Sequence, residues 1–358
     1  MPTIFVVPIE PLQQRYSAQW YYDVPKILER KITARRLNDW HVKTIDGEEV
    51  EDKTTSGAFL DFGATNAYKA SQVVKISQLF SNGEVQPGDK FLVTDFWNFA
   101  VTAIRYMSEL LEIPVELHCI AHAGAYDPTD ILGMKMNKKW ANEQERAWYY
   151  ASDYMYFGTE FHRKMFLNNL NVPNSYHRKA IRSGQPSITF AKNCFDQYYE
   201  NTKREDLIVF PHRLNNDKQP EIFRSLMNNL DLKEVVTQDN NFTKDEYYAV
   251  LGKSKLVFSC SLHENLGISQ MEGVLCGAIP VVPDRASYRE IYNPIFKYPS
   301  KWTESHEAYE NNKDNLVRFI NNLLINYEDI YENELREQAN TILEEYMSPK
   351  IMVDLLLK

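Results

Sequence analysis

Apolar and polar positions along this chain follow two periods in turn. Runs such as TIFVVPI, FLVTDF, ELHCIA, LIVFPH, LVFSCS and IPVV are short, β-rich and continuously apolar, as buried strands are. Longer stretches between them repeat apolar residues three and four apart, the period of a one-sided helix. The alternation predicts strands at 3–9, 40–45, 90–95, 115–121, 154–158 and 179–183. Helices are predicted near 15–36, 66–82, 99–112, 138–151 and 160–170. Within 99–112, Val101, Ile104, Met107, Leu110 and Leu111 fall on one stripe. SGQPS, at 183–187, reads as a hinge. The alternation then restarts, with strands at 207–212, 234–237, 256–261 and 279–282. Helices follow near 220–230, 243–253, 267–276, 309–327 and 330–346, the last with a short tail.

Strand and helix in turn are the mark of parallel α/β units. A chain of 358 residues is longer than one core usually serves, so two such domains are expected. Their bounds are read as 1–186 and 187–335, with 336–358 a C-terminal helix and tail that packs back on the first domain. Ligands of open parallel sheets bind beyond the carboxyl ends of the strands, which directs the search for a site to the loops after strands.

Composition narrows the classes. No apolar run approaches the ~18 residues of a membrane span, and the N-terminus lacks the pattern of a signal peptide. The expectation is a cytoplasmic protein with no membrane partner. Cys119, Cys194, Cys260 and Cys276 are scattered, three of them in or beside apolar runs, and read as reduced packing residues. No metal-ligand spacing is present, so no metal site is expected. The net charge of −9 speaks against a general nucleic-acid binder. The charge is uneven, however. Residues 1–186 carry 21 Lys and Arg against 22 Asp and Glu, and the remainder 19 against 27. Basic clusters lie at 30–36 (with Arg30, Lys31, Arg35 and Arg36), 162–164 and 176–182.

The segment SCSLHENLGISQMEGVLCG, 259–277, follows a predicted strand and opens a helix. The first-turn amides of Leu266, Gly267 and Ile268 form, with the helix dipole, a site for an anionic group. Gly267 lets a ligand approach the backbone. Glu264 precedes the helix and Glu272 lies about one and a half turns into it. Carboxylates at such places accept several hydrogen bonds at once, as vicinal hydroxyls require. The bland alternative makes Glu264 a cap and Glu272 an exposed helix residue. Upstream, LIVFPHRLNNDK places Arg213 and Lys218 in a polar turn directly after a strand, where two cations would neutralise a diphosphate.

The series RLxxxK after a strand, then E-x7-E in ENLGISQME, then small residues and a strand in GVLCGAIPVV, resembles the group-1 retaining glycosyltransferases of the GT-B fold. The resemblance is specific over about 207–292 and implies two Rossmann-like parallel-sheet domains facing across a cleft. It implies that Arg213 and Lys218 hold the diphosphate of a nucleotide-sugar donor, that Glu264 faces the transferred sugar, and that Glu272 binds the ribose. It also implies retention of anomeric configuration. His122, at the end of a strand in CIAHAGAYDPTD, matches the place of a histidine beside the reacting sugar. With no Asp-x-Asp, no metal or other cofactor is expected.

The first half departs from the family. The loop after its first strand is PIEPLQQRYSAQW rather than glycine-rich, so Glu10, Arg15, Gln19 and Trp20 are acceptor-side candidates by position only. Asp95 and Trp97, in TDFWN, join them. The opening is also similar to glycosyltransferases encoded by phages and other viruses, some of which modify DNA bases. A hydroxymethylated pyrimidine of phage DNA is therefore one expected acceptor, and a saccharide or surface polymer is the other. A nucleotide-sugar epimerase and a non-catalytic sugar-binding relative are further alternatives.

Overall fold

The computed structural model describes residues 2–12, 16–37, 39–51 and 61–358. The chain divides into two compact units, one of residues 1–187 with 348–358, the other of 188–347.

Among the described residues, the first unit is built on six parallel strands. They are β1 (Thr3–Val7), β2 (His41–Thr44), β3 (Lys90–Val93), β4 (Glu116–Ile120), β5 (Tyr154–Phe157) and β6 (Ala180–Arg182), in the order β2-β1-β3-β4-β5-β6. Ile4 to Val7 and Lys90 to Val93 are buried, which is why these strands read as continuous apolar runs rather than alternating ones. β2 is an edge strand, and its short, largely exposed HVKT suits that place. The helices are α1 (Tyr16–Ala34), α2 (Phe62–Ser81), α3 (Ala100–Leu110), α4 (Ile131–Lys135), α5 (Lys138–Ala151) and α6 (Glu160–Asn169). Asp61, Asn137 and Thr159 cap α2, α5 and α6 with their side chains. On α3 the buried line runs through Val101, Ile104 and Ser108, while Leu110 and Leu111 are exposed. The predicted stripe fails at that end because Leu110, two and a half turns beyond Val101, falls on the opposite face of the helix, and Leu111 lies past its end.

The second unit opens with α7 (Ile188–Cys194) and has five parallel strands. These are β7 (Glu205–Phe210), β8 (Lys233–Val236), β9 (Ser254–Phe258), β10 (Ile279–Pro283) and β11 (Lys297–Tyr298), ordered β11-β10-β9-β7-β8. Its helices are α8 (Pro220–Met227), α9 (Lys244–Lys253), α10 (Ile268–Leu275), α11 (Tyr288–Ile291), α12 (His306–Ile325), α13 (Tyr327–Ile330) and α14 (Arg336–Thr341). The stretch expected as one helix over 330–346 includes two π-helical segments, Tyr331–Leu335 and Ile342–Tyr346. The expected tail is instead a helix, α15 (Lys350–Leu356), which belongs to the first unit.

Both sheets share one topology. The second strand of each unit lies on one side of the first and the third strand on the other. The direction of winding thus reverses between β1 and β3, and between β7 and β9. Such switch points open a crevice beyond the strand ends. Each unit has its own core, and all four cysteines are buried. No helix among the described residues is long and apolar enough to cross a membrane.

Candidate functional site

At the switch point of the second unit, the loops after β7 and β9 meet. The N–H of Leu262 donates to the carbonyl of Asp217 at 2.8 Å and joins them. Lys218, buried in this junction, donates to Ser261 Oγ (2.9 Å), His263 O (2.6 Å) and Glu264 Oε1 (2.8 Å). Asp217 Oδ2 is 3.1 Å from the same ammonium. Burial disfavours the charged form of Lys218, but Glu264 and Asp217 outweigh it and raise the lysine above its ordinary value. Burial likewise opposes ionisation of Glu264, and Lys218 and His212 reverse this, holding the carboxyl below its usual range. The pair is therefore charged on both sides.

His212 lies just past β7, with Nδ1 3.6 Å from Glu264 Oε1 and Nε2 3.3 Å from Gln270 Nε2. Burial is the largest influence on it and pushes it down to about 4, so at neutral pH the ring is uncharged. Arg213, next in sequence, is half-buried and has no ion-pair partner among the described residues.

Gly267 precedes α10 with φ of 77°, in the left-handed region where a side chain is strained. A Cβ there would also fall 2.6 Å from Tyr288 Cε1. Glycine is thus required twice, by backbone conformation and by the Tyr288 ring. The N–H groups of Leu266, Gly267 and Ile268 find no acceptor among the described residues. Five residues into the helix, Glu272 accepts from Tyr247 (2.9 Å) and Tyr248 (3.0 Å), and Lys244 Nζ is 3.9 Å away. It is 6% exposed, so the reading of Glu272 as an exposed helix residue does not hold. Two phenols occupy part of its hydrogen-bonding capacity, and a carboxylate has about four lone-pair positions.

At the switch point of the first unit, a cavity of about 510 Å³ opens beyond β3 and β4. Asp95, Trp97 and His122 all line it. Asp95 is 2.6 Å from Lys69 Nζ, and Lys69 also donates to Trp97 O at 2.8 Å. Burial works against the Asp95 charge, but Lys69 and His122 prevail and its pKa is lowered. His122 Nε2 is 2.6 Å from Thr94 O, and burial holds the ring below its ordinary value against the pull of Asp95. The Trp97 indole donates to Glu145 Oε1 at 2.9 Å. Glu145 is pushed up to about 7, chiefly by burial.

The remaining acceptor-side candidates are placed differently. Glu10 is 1% exposed and is raised by burial. Trp20 is also 1% exposed; its ring packs 4.7 Å from that of His122 and its N–H donates to Ser187. It is a support behind His122, with no open face for a ligand. Gln19 is half-buried, and Arg15 lies outside the described residues. Several cations of the basic clusters are engaged internally. Arg35 pairs with Asp354, Arg163 binds Glu160 and Ala180 O, and Lys179 binds the carbonyls of Tyr150 and Ser152. His162 is buried against Tyr126.

Sequence reading missed His212, Gln270, Tyr247, Tyr248, Lys69, Glu145 and Trp140. His212 had a signal, being adjacent to Arg213 after a strand. The others come from helices whose register against the sheet no local pattern reveals.

No protein-family model matches the chain. A curated relative is the tRNA-queuosine alpha-mannosyltransferase of Drosophila melanogaster, 23% identical over 194 residues. The match covers 40% of this chain and 50% of that protein, so the chain spans about half the length of this relative. Several solved structures align along nearly the whole chain, among them the following two. The catalytic domain of starch synthase IV from Arabidopsis thaliana, bound to ADP and acarbose, aligns with a TM-score of 0.57, 11% identity and coverage of 99% and 97%. Sucrose-phosphate synthase from Thermosynechococcus elongatus aligns with a TM-score of 0.60, 11% identity and the same coverage. The fold is GT-B. At such identity the likeness is one of fold, and activity is argued from the residues.

Proposed function

We propose that the protein is a retaining glycosyltransferase that moves a sugar from a nucleoside-diphosphate sugar to a hydroxyl acceptor. The donor is held by the second unit and the acceptor by the first. The observation that carries this reading is the junction of Lys218, Glu264 and the α10 amides at the β7/β9 switch point, with Glu272 on the same helix. Arg213 and the α10 amides stabilise the diphosphate as it leaves, and no metal is required for that charge. Glu264, kept ionised by Lys218, accepts from sugar hydroxyls and lies beside the positive charge that develops on the sugar. Glu272 uses its remaining lone pairs for the ribose hydroxyls. With no side-chain nucleophile in the assignment, the incoming hydroxyl oxygen bonds to the anomeric carbon on the face from which the diphosphate departs, and its proton passes to the leaving phosphate oxygen as the bond from that oxygen to the sugar breaks.

For the acceptor, the reading is a hydroxymethylated pyrimidine of phage DNA, which places the enzyme in the host cytoplasm. A relative named for a modified tRNA base supports a base-linked hydroxyl. A saccharide or surface polymer is the second reading, and the starch synthase bound to acarbose favours it. The test is a mass-spectrometric screen. Full-length protein is incubated with a panel of nucleotide sugars and with hydroxymethylcytosine DNA, hydroxymethyluracil DNA, unmodified DNA or oligosaccharides. A hexose or pentose adduct on one acceptor class decides between the two. No adduct and no donor hydrolysis across the panel would overturn the enzyme reading.

A further inference from the structure

The cavity of the first unit has a chemistry that the fold does not dictate. Its walls include Phe62, Trp97, Phe99, Ile131, Leu132 and Trp140. At about 510 Å³ it falls in the range of ~300–1,000 Å³ typical of small-molecule sites. Its polar groups are largely engaged with one another. Lys69 and Asp95 are paired at 2.6 Å, and His122 Nε2 is held by Thr94 O. A saccharide carries a hydroxyl on nearly every carbon and would lose water there without finding enough partners. A flat heterocycle needs fewer hydrogen bonds and gains from stacking on aromatic rings.

Charge at the same place points the same way. Lys135 is part of the wall, and Lys138 and Lys139 sit in the turn of α5 that carries Trp140. All three lysines are exposed, and none has an ion-pair partner among the described residues. Trp140 and Phe99 are each 51% exposed. Aromatic rings interleaved with unpaired cations are the recognition chemistry of a nucleic-acid strand, whose phosphates repeat on both sides of each base.

We infer that this cavity is a nucleobase site: an unstacked base of a nucleic-acid strand lies against Trp97 and Trp140, while Lys135, Lys138 and Lys139 neutralise the flanking phosphates. The inference rests on the reading of the first unit as the acceptor side. It moves strand binding away from the basic clusters at 30–36, 162–164 and 176–182, several of whose cations are already engaged. The same lysines and exposed rings would also meet an anionic lipid surface. The base is favoured because the rings enclose a cavity with an ion pair in its wall, whereas a bilayer engages convex apolar faces.

The test uses the full chain and a labelled single-stranded oligodeoxynucleotide containing one hydroxymethylcytosine, beside an oligoribonucleotide of the same sequence. Anisotropy is followed over a range of salt. Binding of either strand is expected, and the tighter one names its source. Replacing Lys135, Lys138 and Lys139 together by Ala should lower the slope of log K against log salt by about 2, at ~0.7 per phosphate contact. Trp140→Ala, at an exposed position, should weaken binding about tenfold with the slope unchanged. Strand binding identical in both variants would overturn the inference. So would glycosylation of an oligosaccharide by protein that binds no strand, or lysine-dependent binding to phosphatidylserine vesicles in place of strand binding. Calorimetric titration with nucleoside diphosphates on the same preparation separates the two levels. Diphosphate binding without strand binding sinks the base site alone, and absence of diphosphate binding sinks the glycosyltransferase reading.

Discussion

Lys218 Nζ lies 2.8 Å from Glu264 Oε1, between loops that follow two neighbouring strands, β7 and β9. Each group keeps the other charged where burial alone would neutralise it. The pair ties the loop that leads into α10 to the loop after β7.

The two cations of the site should accordingly separate in their effects. Lys218→Ala leaves a buried carboxylate without its partner and should destabilise the protein by about 3 kcal/mol. Arg213→Ala removes a side chain with no ion pair, so stability should change by less than ~0.5 kcal/mol while donor affinity falls about tenfold. Thermal unfolding and calorimetric donor titration of both variants check this. Equal losses of stability would contradict the assignment.

The glutamates should separate in kinetics. Glu272→Gln should mainly raise the donor KM, because ribose contacts are alike in ground and transition states. Glu264→Gln should lower kcat more, because the proposed function sets Glu264 beside the charge that develops on the sugar. Steady-state measurement with the donor identified by the screen reads both, and the reverse pattern would exchange the roles.

Gly267→Ala should cost about 2 kcal/mol or more, since it forces a side chain into the left-handed region and against Tyr288. Urea unfolding measures it. A variant as stable as the parent would mean that the loop before α10 has another accessible conformation.

Transfer should persist in EDTA, because in the proposed function Arg213 and the α10 amides supply the charge that a metal would otherwise bring. Activity abolished by EDTA and restored by magnesium or manganese would refute this.

The part of the stability that His212 contributes should fall as pH drops from about 6.5 to about 4, while Glu145, held up to about 7, contributes in the opposite sense. His212 is held down to about 4 in the folded chain, against an ordinary 6.5, so its contribution is whole above 6.5. Below that, the unfolded chain takes up a proton that the folded ring refuses, and roughly 3 kcal/mol is lost by pH 4. His118 and His122 are depressed too and share in the decline. His212→Gln should remove this loss, so the unfolding midpoint of the variant relative to the parent should rise as pH falls through this window. An unaltered profile would show that His212 does not couple folding to protons.

Much of this arrangement was legible before any coordinates. Short β-rich runs separated by helical periods located ten of the eleven strands among the described residues. The central ones stand out because strands buried on both faces are continuously apolar, whereas the edge strands β2 and β8 are largely exposed and carry a weaker pattern. Only the two-residue β11 carried no pattern. Arg213, Lys218, Glu264, Gly267 and Glu272 could be singled out because they lie in, or just after, loops that begin at the ends of β7 and β9.

The sequence by itself determined the element order, the parallel α/β class and the identity of the chemistry-bearing loops. Tertiary structure decided which of those residues act together. Trp20 was indistinguishable from Trp97 by pattern, yet one is buried behind His122 and the other lines a cavity. Lys69 and Trp140 reach that cavity from helices far apart in the chain. Tyr247 and Tyr248 reach Glu272 from a different helix. Local period fixes which residues form a helix face. The element that packs against that face depends on strand order, and strand order is set by contacts between residues distant in sequence.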